Sequence, residues 1–203
     1  MKKLAAAIAL AFVAGAASAG SAIEIQTGSY TGTGLFDNAA AFQTVVENAV
    51  TTTSWASSYD NLPISINQGA LESTITFDVT TAGQDWTFRA GVDFGKGGAI
   101  YLDGTAEQSF ANNMWWNGNY NTAGQYFQFT ATDLSVGYHT LTLYGLEDCC
   151  SGNQQTQFQI NNGTFTSFGT NDGLPAIPEA QTFAMLLAGL GLIGTLSRRR
   201  KQA

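Results

Sequence analysis

From Leu71 onward the chain alternates. In Leu71–Val79 the residues Leu71, Ser73, Ile75, Phe77 and Val79 share one parity, and Glu72, Thr74, Thr76 and Asp78 share the other. Successive side chains on a strand point to opposite faces, so this period of two predicts a half-buried β-strand. Gln84–Phe94 repeats the pattern, with Trp86, Phe88, Ala90, Val92 and Phe94 on one face. Burial of each large side chain there would stabilise the fold by roughly 2–3 kcal/mol. Shorter strands are predicted at Ala22–Ile25, Ala99–Leu102, Gln125–Thr130, His139–Gly145, Thr156–Ile160 and Thr164–Phe168. Between them lie Asp103-Gly104, Asn117-Gly118-Asn119, Asn161-Asn162-Gly163 and Asn171-Asp172-Gly173, residue types that adopt tight turns. Seven or eight such strands predict an all-β, jelly-roll-like β-sandwich.

One stretch breaks the alternation. In Asn38–Val50, Phe42, Val45, Val46, Ala49 and Val50 recur at helical spacing, and Asp37 or Asn38 can act as N-cap. One short amphipathic helix is expected there, ended by Thr51-Thr52-Thr53. Trp55 and Tyr59 follow in a stretch without a period, before Pro63.

The two ends follow a third pattern. Lys2-Lys3, an apolar run from Leu4 to Ala17 and the small residues Ala17-Ser18-Ala19 predict a secretory signal peptide, cleaved between Ala19 and Gly20. At the other end stand Pro178-Glu179, an uncharged run from Phe183 to Leu196, and Arg198-Arg199-Arg200-Lys201. With Gln181, Thr182 and Ser197 that run makes a minimal transmembrane helix whose basic end stays cytoplasmic. The expected divisions are a signal peptide (1–19), a sandwich (20–168), a linker (169–177) and a C-terminal segment (178–203).

Composition sharpens this division. Six of the eight basic residues lie in the two ends, leaving Arg89 and Lys96 in residues 20–177 against fourteen carboxylates, a formal charge of −12. A surface so acidic repels phosphate, which excludes nucleic acid as a partner. The 158 residues between the ends suffice for one core.

The C-terminal segment resembles the PEP-CTERM sorting signal of exopolysaccharide-producing Gram-negative bacteria. Pro178, Glu179, the apolar run and Arg198, Arg199 and Arg200 match its pattern, while Ala180 stands where the third motif residue is usually proline. The resemblance implies recognition by an exosortase, a membrane cysteine protease-transpeptidase. It also implies export to the cell envelope, the surface or the extracellular matrix, with membrane anchoring through the tail. Val92-Asp93-Phe94-Gly95, Tyr101-Leu102-Asp103-Gly104 and Leu134–Leu143 are similar to elements of PA14-like carbohydrate-binding sandwiches. That likeness implies a sugar- or matrix-binding module, sometimes with Ca²⁺. The PA14 pattern has paired aspartates before its glycine, where this chain has Asp93 alone. Cys149-Cys150-Ser151-Gly152 resembles a group of PEP-CTERM proteins marked by a Cys-Cys-x-Gly element.

Four sets of side chains are candidates for chemistry. Cys149 and Cys150 should be oxidised after export. Adjacent Cα atoms about 3.8 Å apart fall below the usual disulfide range, so such a ring would be strained. A rigid ring presented to a ligand, an intermolecular pair and a structural loop clip all fit. Trp115, Trp116 and Tyr120 lie in a Gly/Asn loop suited to stacking on sugar rings, or to plugging the sandwich. Asp93, Asp103 and Asp148, with Glu147, offer hard oxygen ligands for Ca²⁺ if they converge, and are otherwise solvated loop carboxylates. His139, the only histidine, shares a face with Leu141 and Leu143 and reads as structural; one histidine without a nucleophile motif gives no triad.

The expectation is therefore a non-enzymatic surface or matrix protein that binds exopolysaccharide or matrix partners and needs no cofactor apart from a candidate Ca²⁺. A purely structural envelope protein is one alternative. A glycan-active enzyme using Asp93 and Asp103 is the other.

Overall fold

The face that alternation assigns to the core is buried. In the computed structural model, which describes residues 20–64, 66–150 and 152–177, every odd position from Leu71 to Val79 is buried, as are Trp86, Phe88 and Phe94. The expected signal peptide (1–19) and the C-terminal segment with its expected membrane helix (178–203) lie outside the described residues. Among the described residues no helix is long and apolar enough to cross a membrane.

In chain order the elements are β1 (Ala22–Ser29), α1 (Ala39–Ala49), β2 (Val50–Ala56), β3 (Leu62–Ile64), β4 (Gly69–Val79), β5 (Gln84–Gly91) and β6 (Asp93–Phe94). Then follow β7 (Gly98–Leu102), β8 (Thr105–Phe110), β9 (Met114–Trp115), β10 (Tyr126–Leu134), β11 (Gly137–Glu147), β12 (Gly152–Ile160) and β13 (Thr166–Ser167). One antiparallel sheet runs β2-β1-β4-β11-β7-β8. The other runs β10-β5-β12-β13, with β3 also on β12, and β6 and β9 form a separate two-stranded ladder.

Aromatic rings hold the two sheets face to face. Phe77 on β4 lies 5.4 Å from Trp86 and 5.6 Å from Phe88, both on β5, and 5.5 Å from Phe168 (ring centroids). Phe158 on β12 closes the cluster 4.8 Å from Phe168. A second, smaller core lies on the outer face of the larger sheet. There α1 inserts Phe42 and Val46 among Ala70, Ala99, Tyr101, Tyr144 and Leu146. The cap is Asn38, whose Oδ1 accepts the Ala41 N–H at 2.9 Å.

The fold departs from the sequence expectation in several places: Leu62–Ile64, Thr105–Phe110 and Met114–Trp115 are strands beyond those expected, and the expected strand Gln84–Phe94 divides between two sheets. Thr51–Ala56, read as lacking a pattern, belongs to edge strand β2. Its polar residues are exposed, and an edge strand with so little to bury carries no strong alternation. Residues 169–177, expected as a linker, fold back onto the sandwich instead. Leu174 packs against the main core, Ser21 N–H donates to Gly169 O at 3.0 Å, and Ile177 N–H donates to Gly20 O at 3.3 Å. The first and last described residues of the chain therefore meet.

Two substitutions separate cap from core. Asn38→Ala should cost about 1 kcal/mol in denaturant unfolding, whereas Phe42→Ala, which empties the second core, should cost about 3–5 kcal/mol.

Candidate functional site at one end of the sandwich

After β5, the buried Val92 leads into the β6–β9 ladder, in which Asp93 pairs with Trp115 and Phe94 with Met114. Phe94 and Met114 are fully buried and anchor the ladder, while the Trp115 indole is 64% exposed. The Trp115 N–H donates to the Gln125 side chain, which donates in turn to Asn113 O at 3.2 Å. The loop that presents this tryptophan is thus tied across its own base. Asp93 is half-buried beside Gly152, where any side chain would collide with its carboxylate; burial raises its pKa.

Glu147, at the end of β11, organises the neighbouring loop. Its Oε2 accepts the Gly95 N–H at 3.0 Å, and its Oε1 accepts those of Asp148 at 2.9 Å and Cys149 at 3.1 Å. Burial pushes its pKa to about 7; the Gly95 N–H opposes that rise, and the Asp93 charge adds to it. Beside it Cys149 and Cys150 form a vicinal disulfide, with Cα atoms 3.7 Å apart and both residues exposed. Asp148 pairs with the Lys96 ammonium at 2.9 Å.

The expected sets are only partly assembled. Asp93, Glu147, Asp148, Trp115 and the disulfide share one end of the sandwich. Asp103 does not join them: it follows β7 at Leu102, whereas Glu147 and Asp148 lie beyond Gly145, the partner of Gly98 at the other end of β7. Four residues of strand separate those ends by about 13 Å. Asp103 instead sits 2.6 Å from His139 Nδ1 and accepts the Thr140 N–H at 2.8 Å, clamping a turn. Among the described residues no three His, Cys, Asp or Glu side chains are grouped to hold a metal. The proposed Asp93, Asp103 and Asp148 calcium set is thus broken up by strand length, and the Asp93–Asp103 pair does not face one cleft. His139 is buried, with Nε2 2.9 Å from Ser135 O, a structural placement.

The three aromatics also divide. Trp116 is 7% exposed and packs against Gly91, whose missing side chain makes room for the indole. Tyr120 lies under the Arg89 guanidinium at 3.9 Å and donates its hydroxyl to Gln155 O at 3.1 Å; burial raises its pKa. Trp116 and Tyr120 fasten the loop, and Trp115 alone presents an open ring. Sequence reasoning missed the organising role of Glu147, although a carboxylate on the inward parity of His139, Leu141 and Leu143 signalled it. Pro178, Glu179, Arg198, Arg199 and Arg200 lie outside the described residues.

Comparison with known proteins bears on the C-terminal segment and on the fold. Residues 176–201 match the PEP-CTERM protein-sorting motif, so the chain carries that signal. Its sandwich resembles a PA14 sugar-binding domain from an RTX adhesin, with 12% identity, TM-score 0.50, and coverage of 79% of this chain and 100% of that one. It also resembles the PA14 domain of the MpAFP antifreeze protein, with 13% identity, TM-score 0.53, and coverage of 76% and 89%. A third similar structure is the Epithelial Adhesin 9 A domain from Candida glabrata in complex with Galb1-3GlcNAc, with 8% identity, TM-score 0.50, and coverage of 80% and 91%. At these identities the likeness establishes a PA14-type fold. No curated protein sequence matches the chain.

Glu147 sets a pH dependence. The folded state binds its proton more tightly than the unfolded chain between pH 4.5 and about 7, so stability should fall as pH rises through that window. Thermal unfolding across this range should show the fall, and Glu147→Gln should flatten it to the contribution of Asp93 and Glu72, both also raised by burial.

Proposed function

We propose that this is an exported, non-enzymatic envelope or surface protein, delivered through exosortase recognition of its tail, whose sandwich binds a carbohydrate chain through the end built around Trp115. The observation that carries this reading is the exposed Trp115 indole, paired in one ladder with Asp93 and held by a loop whose other aromatics are locked. The indole face stacks on the apolar face of a sugar ring. The Asp93 carboxylate accepts from sugar hydroxyls, and the Cys149–Cys150 loop forms the rim. The PA14-type fold supports the reading because two of the similar structures are described as a sugar-binding domain and as an adhesin–disaccharide complex. The sorting motif supports the envelope location.

Exopolysaccharide of the producing cell is the proposed ligand, since the sorting motif resembles that of exopolysaccharide-producing bacteria. Direct contact by Trp115 and Asp93 needs no metal, because Asp148 is held by Lys96 and Asp103 by His139. A purely structural role is the second reading, and the Lys96 ion pair on Asp148 and the His139 and backbone contacts of Asp103 favour it as far as those two carboxylates are concerned.

Binding of the purified protein to host exopolysaccharide, measured by calorimetry or pull-down with and without Ca²⁺, tests this. Trp115→Ala should weaken binding about ten-fold, or ~1.4 kcal/mol, at unchanged melting temperature. Trp116→Ala should instead destabilise the fold by about 3–5 kcal/mol. Absence of binding to any host polymer would leave the structural reading.

A further inference from the structure

Gly20, the residue expected to begin the chain once the leader is removed, is built into the fold. It is buried, with φ of +117°, a backbone region that favours glycine. A Cβ placed there would meet the carbonyl oxygen of Gly169 and lie 2.7 Å from Asp172 Oδ1. Asp172 holds the returning segment: its Oδ2 accepts from Ser21 Oγ at 2.6 Å, Ser21 N at 3.3 Å and Gly169 N at 3.1 Å, and its Oδ1 accepts from Leu174 N at 3.0 Å. Ser57 backs the same corner by accepting the Thr170 N–H at 2.9 Å.

Among the described residues this carboxylate has no cation beside it. Arg89 and Lys96 are the only basic side chains in residues 20–177. Arg89 lies between the rings of Tyr120 and Phe165 and bonds to Gln157, and Lys96 pairs with Asp148. Among the residues packed against Gly20, namely Ser21, Gly169, Thr170, Asp172 and Ile177, Asp172 is the charged one. Export creates a cation at this place. Hydrolysis of the Ala19–Gly20 bond adds the hydroxyl of water to the Ala19 carbonyl carbon and its proton to the Gly20 nitrogen. That nitrogen then takes a second proton from solvent and becomes an ammonium.

We propose that Asp172 is the receptor for the α-ammonium group formed at Gly20 by leader removal, and that this ion pair latches residues 169–177 against the sandwich. The sorting motif begins within this segment, at residue 176. One processing event thereby fixes the point from which the signal for the next one leaves the fold. The inference rests on the export half of the proposed function and is independent of sugar binding.

The test uses the full chain exported by its host and purified after processing. Its amino terminus is sequenced, its amines are reductively ¹³C-methylated, and the α-amine is titrated by NMR. The expected result is an amino terminus at Gly20 with a pKa about one unit above the ordinary 7.7–8.0. Asp172→Asn should return it to that range, and Ser21→Ala should leave it raised. One alanine inserted between Ala19 and Gly20, which leaves Asp172 intact, should lower it to the ordinary range and speed hydrogen exchange in residues 169–177. An ordinary pKa in the wild-type protein, or an unchanged one in both the Asp172→Asn and alanine-insertion variants, overturns the proposal. So does an amino terminus at another residue. An uncleaved leader would overturn the export reading as well, whereas a Gly20 terminus with an ordinary amine sinks the latch alone.

Discussion

The contact of Phe77 with Trp86, Phe88 and Phe168 is what the rest of the molecule depends on. Sheets that pack face to face lie about 10 Å apart, and these rings fill that gap from both sides. Because the rings come from β4, β5 and the segment after β13, one cluster ties the middle of the chain to its end. With the sheets fixed, the loops at each end of the sandwich are fixed as well. A single exposed indole can then be presented from a short ladder without a large loop of its own.

The carboxylates at the two ends of the sandwich are differently engaged. At one end Asp103 clamps His139 and the Thr140 backbone, which closes a turn. At the other, Glu147 gathers three backbone N–H groups, and with them the start of the disulfide loop, next to Asp93.

Much of the architecture was legible in the sequence because burial on one face leaves a period. Leu71–Val79 and the stretch around Trp86 and Phe88 alternate, and the segment after Asn38 carries helical spacing with a side chain able to cap it. Edge strand β2 was not legible, since Thr51–Trp55 buries little on either face. The site was legible as residue types and not as an assembly. Trp115 and Trp116 are neighbours in sequence, but one strand position sends the first to solvent and the second against Gly91. Asp93 and Asp103 lie close in sequence, but β7 carries them to opposite ends. The return of residues 169–177 depends on Asp172 reaching Ser21 across the whole chain, a contact that no local pattern encodes.

The most direct measurement is an NMR titration of the exported protein with oligosaccharides from the host exopolysaccharide, following its four indole N–H signals. Binding as described would move the Trp115 indole, together with the amides of Asp93 and the Cys149–Cys150 loop, and leave the buried Trp86 indole in place. Saturable shifts centred elsewhere, or none at any accessible concentration, would contradict it.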